Sequence, residues 1–188
     1  EPLWNGPNGA VVNMAAGRKV TVLDVDSVIF TGANGSRTIA PTAEGNMRGL
    51  FDQLDGAGVL RLVKIIVPCD EPNLPKNDRT AMLPGAAALI RRVAADYPAL
   101  AGVRLGCIYA GGKPMPHVDL FDIVGFDDYE AGSGILSPGG AYDQLRAALR
   151  PEQRTWLIPS AVGQDPASWI NFANSHPEVQ AIVPFLWA

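Results

Sequence analysis

Short, almost wholly apolar runs that alternate with amphipathic stretches leave this chain few folds to choose from. The clearest is Val63-Lys64-Ile65-Ile66-Val67-Pro68-Cys69-Asp70-Glu71-Pro72-Asn73. It follows a helical pattern, carries Val and Ile at successive positions, and stops in two carboxylates, a proline and an amide. A strand apolar on both faces is covered on both faces, which is the property of a parallel sheet. Its carboxylates then sit where a strand leaves the sheet, the edge on which α/β folds place their chemistry.

The same alternation runs along the chain. Strands are expected at Lys19–Phe30, Val63–Glu71, Val103–Tyr109, Leu120–Asp128, Thr155–Ala161 and Val179–Trp187. The patch Val11-Val12 counts as a seventh only if the Gly/Asn-rich start of the chain is more than a loop. Between the strands, Thr42 can cap a helix with Met47, Leu50, Phe51 and Leu54 on one stripe, closed by Gly56 and Gly58. A second helix runs from Thr80 to Tyr97, with Leu83, Leu89, Ile90 and Val93, and stops at Pro98. Ser137-Pro138 and Asp165-Pro166 each place a cap before a proline at the first helical position. The helices they open carry Tyr142, Leu145 and Leu149, and Trp169, Ile170 and Phe172. This is an α/β chain with a parallel sheet. With six or seven strands in 188 residues, it is either an open doubly wound sheet or an incomplete (β/α) barrel, since a closed TIM barrel takes about 250 residues.

Composition narrows the partners. A net charge of −4 with no basic run excludes a nucleic-acid or anionic-membrane surface as the expected partner. No stretch has the length of a membrane-spanning helix, and no signal peptide is visible. The 20 Gly and 16 Pro sit beside 47% hydrophobic residues, which points to tight junctions rather than disorder. One domain, residues 1–188, is the simplest organisation; the chain opens at Glu1 rather than Met, as a processed or excised chain does. Cys69 and Cys107 fall inside apolar runs and are read as buried thiols, with a single disulfide left open. Two cysteines and two histidines far apart give no zinc spacing, and no metal or cofactor is expected.

Polar residues collect at the strand C-terminal ends. Asp70, Glu71 and Asn73 close one strand, Tyr109 the next, and Asp127, Asp128, Tyr129 and Glu130 the third; Ser160 and Trp187 close the last two. Acids and aromatics on one edge fit a pocket for a small polar ligand, with carboxyls for acid/base work and rings as sugar platforms. Trp4, Trp156 and Trp169 are read as packing residues, and His117 and His176 as solvated or hydrogen-bonded loop residues.

Ile65 to Asn73 resembles the end of the fourth strand in (β/α)8 glycoside hydrolases. In their large retaining clan that position reads Asn-Glu-Pro, the Glu being the general acid/base. Phe121-Asp122-Ile123-Val124-Gly125-Phe126-Asp127-Asp128-Tyr129 resembles the sixth strand, Gln153 to Pro159 the seventh, and Val183-Pro184-Phe185-Leu186-Trp187 the eighth. On this register Lys19–Phe30 is the third strand, and the first two units lie upstream or are absent. The resemblance implies a carbohydrate ligand, Glu71 as acid/base, and Asp70, Asn73, Tyr109, Tyr129 and Trp187 around the sugar. Two departures stand out. Asp70 replaces Asn, and Pro159-Ser160-Ala161 stands where the clan carries its nucleophilic Glu. The partner carboxylate is then expected from Asp127 or Asp128, with Glu130, Asp24 and Asp26 behind them. A non-catalytic carbohydrate-binding barrel is the nearest alternative.

Val22-Leu23-Asp24-Val25-Asp26-Ser27 also resembles the first motif of haloacid-dehalogenase-type phosphatases. That resemblance implies Asp24 as nucleophile, Asp26 as acid/base and a Mg²⁺ ion. Ser27 stands where that family prefers Gly, and the motif leaves Asp70-Glu71-Pro72-Asn73 without a role. In the barrel reading Asp24 and Asp26 share one strand face and line the pocket.

Overall fold

A computed structural model describes residues 22–33, 36–128, 136–160 and 165–183. Six strands form one parallel sheet: β1 (Val22–Asp24), β4 (Ile65–Val67), β5 (Arg104–Ala110), β6 (Ile123–Asp128), β7 (Arg154–Pro159) and β8 (Val179–Ile182). They lie side by side in chain order. A doubly wound sheet reverses its order at a switch point, and none occurs here. The fold is α/β, a TIM-barrel-like arc that does not close among the described residues, because β1 and β8 each have one strand neighbour. A small antiparallel hairpin, β2 (Phe30–Thr31) with β3 (Thr38–Ile39), follows β1.

The helices cover the outer face of the arc. They are a single turn, α1 (Asp26–Ile29), then α2 (Ala43–Gly56), α3 (Leu83–Ala94), α4 (Ala141–Ala148) and α5 (Pro166–Ser175). The expected stripe of α2 is buried at Met47, Leu50, Phe51 and Leu54, and that of α3 at Leu83, Leu89, Ile90 and Val93. With Ile66, Leu105, Val124 and Leu157 they make the main core. The other face of the sheet carries a smaller core: Ile65, Val67, Ile123, Trp156 and Ile158, with Ile108 and Ala181 packed on it. Both faces are therefore apolar, as the sequence requires.

That inner layer depends on a glycine. A Cβ on Gly125 would lie 2.7 Å from Ile108 Cγ1 and 3.3 Å from Ile108 Cα. Overpacking of this kind costs about 1–3 kcal/mol, so Gly125→Ala is expected to lower the urea midpoint by a corresponding amount with an unchanged m-value.

Several sequence boundaries shift. The strand expected at Lys19–Phe30 ends at Asp24, because the Asp24 Oδ1 accepts the Asp26 N–H at 2.8 Å and the chain turns into α1. Asp24 and Asp26 therefore do not share a strand face. Pro68, which has no N–H to give, cuts β4 short, and pairing resumes only at an isolated bridge between Asp70 and Ile108. Thr42 holds the N-cap position of α2 without a side-chain cap bond; its hydroxyl instead accepts the Asn46 amide at 3.2 Å. Thr80–Met82 is a 3₁₀ turn leading into α3. Ser137-Pro138 is spent in a turn, with the Gly140 N–H on the Ser137 carbonyl at 2.8 Å, and α4 starts after Gly140. Asp165 does cap α5, accepting the Ala167 N–H at 3.0 Å, with Pro166 at the first position. Val11-Val12 and the end of the last expected strand, including Trp187, lie outside the described residues, as do Trp4, Tyr129 and Glu130.

Cys69, just past β4, and Cys107, in the middle of β5, are buried free thiols, and burial pushes the Cys107 thiol well above its usual range. No described helix is long and apolar enough to cross a membrane.

Candidate active site

At the C-terminal edge of β1, β4 and β6 the chain brings together Asp24, Asp26, Asp70, Glu71 and Asp127. The centre is the turn after β4. Glu71 adopts φ +43° although it is not glycine and precedes a proline. What holds it there is hydrogen bonding on both sides. Its N–H donates to the Ile108 carbonyl at 2.9 Å, and its carbonyl accepts from Leu74 at 3.2 Å. Left-handed backbone at a non-glycine residue costs about 1–3 kcal/mol and survives only where the surroundings over-determine it.

Asn73 supplies much of that determination. Its amide donates to the carbonyls of Ala110 and Pro114, at 3.0 and 3.2 Å, and its Oδ1 accepts the Ala110 N–H at 2.9 Å. The side chain ties the β4 turn to the end of β5 and has little left for a ligand. Tyr109 also departs from expectation. It is fully buried in the layer between sheet and helices, with its hydroxyl donated to the Pro116 carbonyl at 2.6 Å, so it packs the core instead of lining a pocket.

Asp127 lies on the inner series of β6 with Ile123 and Gly125, and is 2% exposed. Its Oδ1 accepts the Gly111 N–H at 3.2 Å; its Oδ2 is buried with no partner. The Glu71 carboxyl lies beside it. Two acceptors facing one another are satisfied only when a proton lies between them. Burial first, then Glu71 and Asp70, push the Asp127 carboxyl well above the usual carboxylate range. Burial, Glu71 and Asp24 push Asp70 up from 3.8 to about 6, and burial is the main cause of the upward shift at Asp24. Perturbed carboxyls gathered at neighbouring strand ends mark a candidate functional site.

Arg79 is the residue that sequence reasoning missed. It is 3% exposed, its Nη2 donates to Asp26 Oδ2 at 2.8 Å, and its guanidinium lies 5.6 Å from the Phe30 ring centroid. Arg37 grips the same Asp26 carboxylate at 3.0 Å. With both guanidiniums on it, Asp26 is a structural anion, not a free acid/base. Nothing local announces Arg79, which pairs with a carboxylate 53 residues earlier. Among the described residues no group of three or more His, Cys, Asp or Glu is arranged to hold a metal ion. Asp128 ends β6, and Ser160 follows β7 at the place where the glycoside-hydrolase resemblance implies a carboxylate.

The raised Asp70 carboxyl makes stability depend on pH. A folded-state value above the unfolded one contributes stability that is complete below pH 4 and lost as pH rises toward 6. Asp70 is solvent-accessible, so the full effect is screened to about 1 kcal/mol. Asp70→Asn is therefore expected to be more stable than the parent by that amount at pH 7, with no such advantage at pH 4, in paired urea titrations.

No protein-family model and no curated protein sequence matches this chain. Among solved structures, a β-glucuronidase from Ruminococcus gnavus in complex with D-glucuronic acid is similar, with a TM-score of 0.50 at 10% identity. The match covers 78% of this chain and 29% of that one, so this chain spans under a third of its structural neighbour. At that identity the likeness is one of fold, and this chain shares an arc of parallel α/β sheet with that enzyme.

Proposed function

We propose that this chain is a carbohydrate-acting (β/α)-barrel domain whose ligand meets Glu71 at the C-terminal edge of the sheet. On this reading β1 and β4 to β8 are the third to eighth barrel strands, and residues 1–188 form one domain. The observation that carries it is the buried Asp127 carboxyl paired with the carboxyl of Glu71, a residue in strained left-handed backbone. Strain and a buried acid cost stability, and such costs collect where chemistry needs them. The fold shared with a β-glucuronidase adds support.

Glu71 is the half-buried member of the pair and the one that reaches a ligand; Asp127 lies beneath it and holds a proton into the neutral range. Glu71 then acts as general acid/base, with Asp127 setting where its proton resides. Glycoside hydrolysis needs a second carboxyl across the bond, about 5–9.5 Å away. Asp127, hydrogen-bonded to Glu71, does not fill that place, which falls to Asp24 at the end of β1, on the other side of β4 from Asp127.

A second reading, a carbohydrate-binding barrel without turnover, draws on one observation: β7 runs out through Pro159 into Ser160 without a carboxylate. The test is to incubate the chain and Glu71→Gln with polysaccharides and aryl glycosides. Turnover lost in Glu71→Gln supports hydrolysis. Turnover that survives it removes Glu71 from the mechanism, and binding without turnover favours the second reading.

A further inference from the structure

Cys69 and Cys107 are buried reactive groups for which the carboxyl cluster has no use. Their placement depends on an irregularity in the β4–β5 ladder. From the pair Ile66 and Leu105 to the pair Asp70 and Ile108, the β4 side advances by four residues and the β5 side by three. The extra residue falls beside Pro68, and it reverses the facing of the residues that follow. Ile65 and Val67 belong to the inner core, so strict alternation would send Cys69 there too. Instead Cys69 lies in the main core, with Leu105, Cys107 and Tyr109 from β5. Because Asp70 pairs with Ile108, the residues before them, Cys69 and Cys107, stand side by side on one face of neighbouring strands. Such strands run about 4.7–4.9 Å apart, inside the Cα separation of about 4.4–6.8 Å that a disulfide spans. Both residues are fully buried, and after burial itself it is Cys69 that does most to push the Cys107 thiol up.

We propose that Cys69 and Cys107 form a disulfide when the chain folds under oxidising conditions, cross-linking β4 to β5 two residues before Glu71. This is independent of the carbohydrate reading. The oxidant is another disulfide, free or carried by a thiol–disulfide oxidoreductase. One cysteine thiolate attacks it, forming a mixed disulfide and releasing one thiol. The second cysteine thiolate then displaces the other thiol and closes the Sγ–Sγ bond. The two protons and two electrons lost by the cysteines end on the two released thiols. Each step needs a thiolate in contact with the oxidant, so the bond forms before the core closes. Once the chain is folded, burial keeps both sulfurs protonated and out of reach, and the protein stays in the redox form in which it folded. The closed loop of about 40 residues restricts the unfolded chain, and the bond holds the strand end that carries Asp70 and Glu71 against β5.

The experiment refolds the full chain from urea by dilution, either into a mixture of oxidised and reduced glutathione or into dithiothreitol. Free thiols are then counted in denaturant, and the linked peptides are identified by mass spectrometry. The monomer refolded in glutathione is expected to have no free thiol, to carry the Cys69–Cys107 peptide pair and to unfold at higher urea than the form refolded in dithiothreitol. Native reduced protein placed in the same glutathione mixture should lose its thiols at least about tenfold more slowly than the unfolded chain. The double variant Cys69→Ala/Cys107→Ala should unfold at one urea midpoint whichever buffer it was refolded in, which ties the shift to the bond. Two free thiols, or two glutathione adducts, in the native monomer refolded in glutathione would overturn the proposal. An oxidised form that unfolds at lower urea than the reduced one would overturn the fit of the bond to this ladder. Native protein oxidised as fast as the unfolded chain would overturn its closure during folding.

Discussion

Glu71→Gln is expected to lower turnover of a responsive glycoside by about 10²–10⁴-fold, the usual contribution of a positioned acid/base, without loss of stability. The amide keeps the shape and backbone of Glu71 and removes its proton chemistry. Glu71→Gly separates the two properties further. It abolishes turnover as well, but relieves the φ +43° backbone, so it is expected to unfold at higher urea by about 1 kcal/mol. A chain stabilised by losing its central carboxylate is one in which that carboxylate is kept for function. Asp127→Asn should lower turnover less than Glu71→Gln, because Asn still accepts the Gly111 N–H. Its amide then donates permanently toward the Glu71 carboxyl.

The second large effect concerns stability. Arg79→Met should cost about 3 kcal/mol, the low end for breaking a buried ion pair. The low end applies because Asp26 is 24% exposed and keeps Arg37. Removing Arg79 also frees the Asp70 carbonyl, which accepts its Nη1 at 3.4 Å, and uncovers the Phe30 ring. Adding Asp26→Asn to Arg79→Met should recover part of the loss, since the anion that has lost one of its two cations goes with it. Urea unfolding of the two single variants and the double measures this directly. A single-variant loss below about 1 kcal/mol would mean that the pair behaves like a surface ion pair.

The strand ends were legible because Val and Ile runs stop abruptly at polar residues, as at Val67 to Glu71 and Phe126 to Asp128. Strand lengths were not. Pro68 and the Asp24 turn act through single backbone bonds that leave the apolar pattern intact on either side. Tyr109 was misplaced for a related reason: β5 is apolar at both parities, so nothing in Arg104–Ala110 tells which face is inner. The acids at the site could be named from position, and Asp24, Asp70, Glu71 and Asp127 do come together. What position could not supply was their company. Arg37 and Arg79 reach Asp26 from a hairpin and a loop, and Asn73 turns out to brace the turn, because each pairing is set by tertiary geometry that sequence spacing does not encode.

The pairing of Glu71 with a proton-holding Asp127 is tested most directly by following the aspartate carboxyl carbons by NMR from pH 3 to pH 9. Asp127→Asn and Glu71→Gln serve to assign the signals. Asp70 is expected to titrate near 6 and Asp127 well above the carboxylate range, falling back toward it when Glu71 becomes Gln. An Asp127 that titrates near 4, or one indifferent to Glu71→Gln, would contradict the pairing.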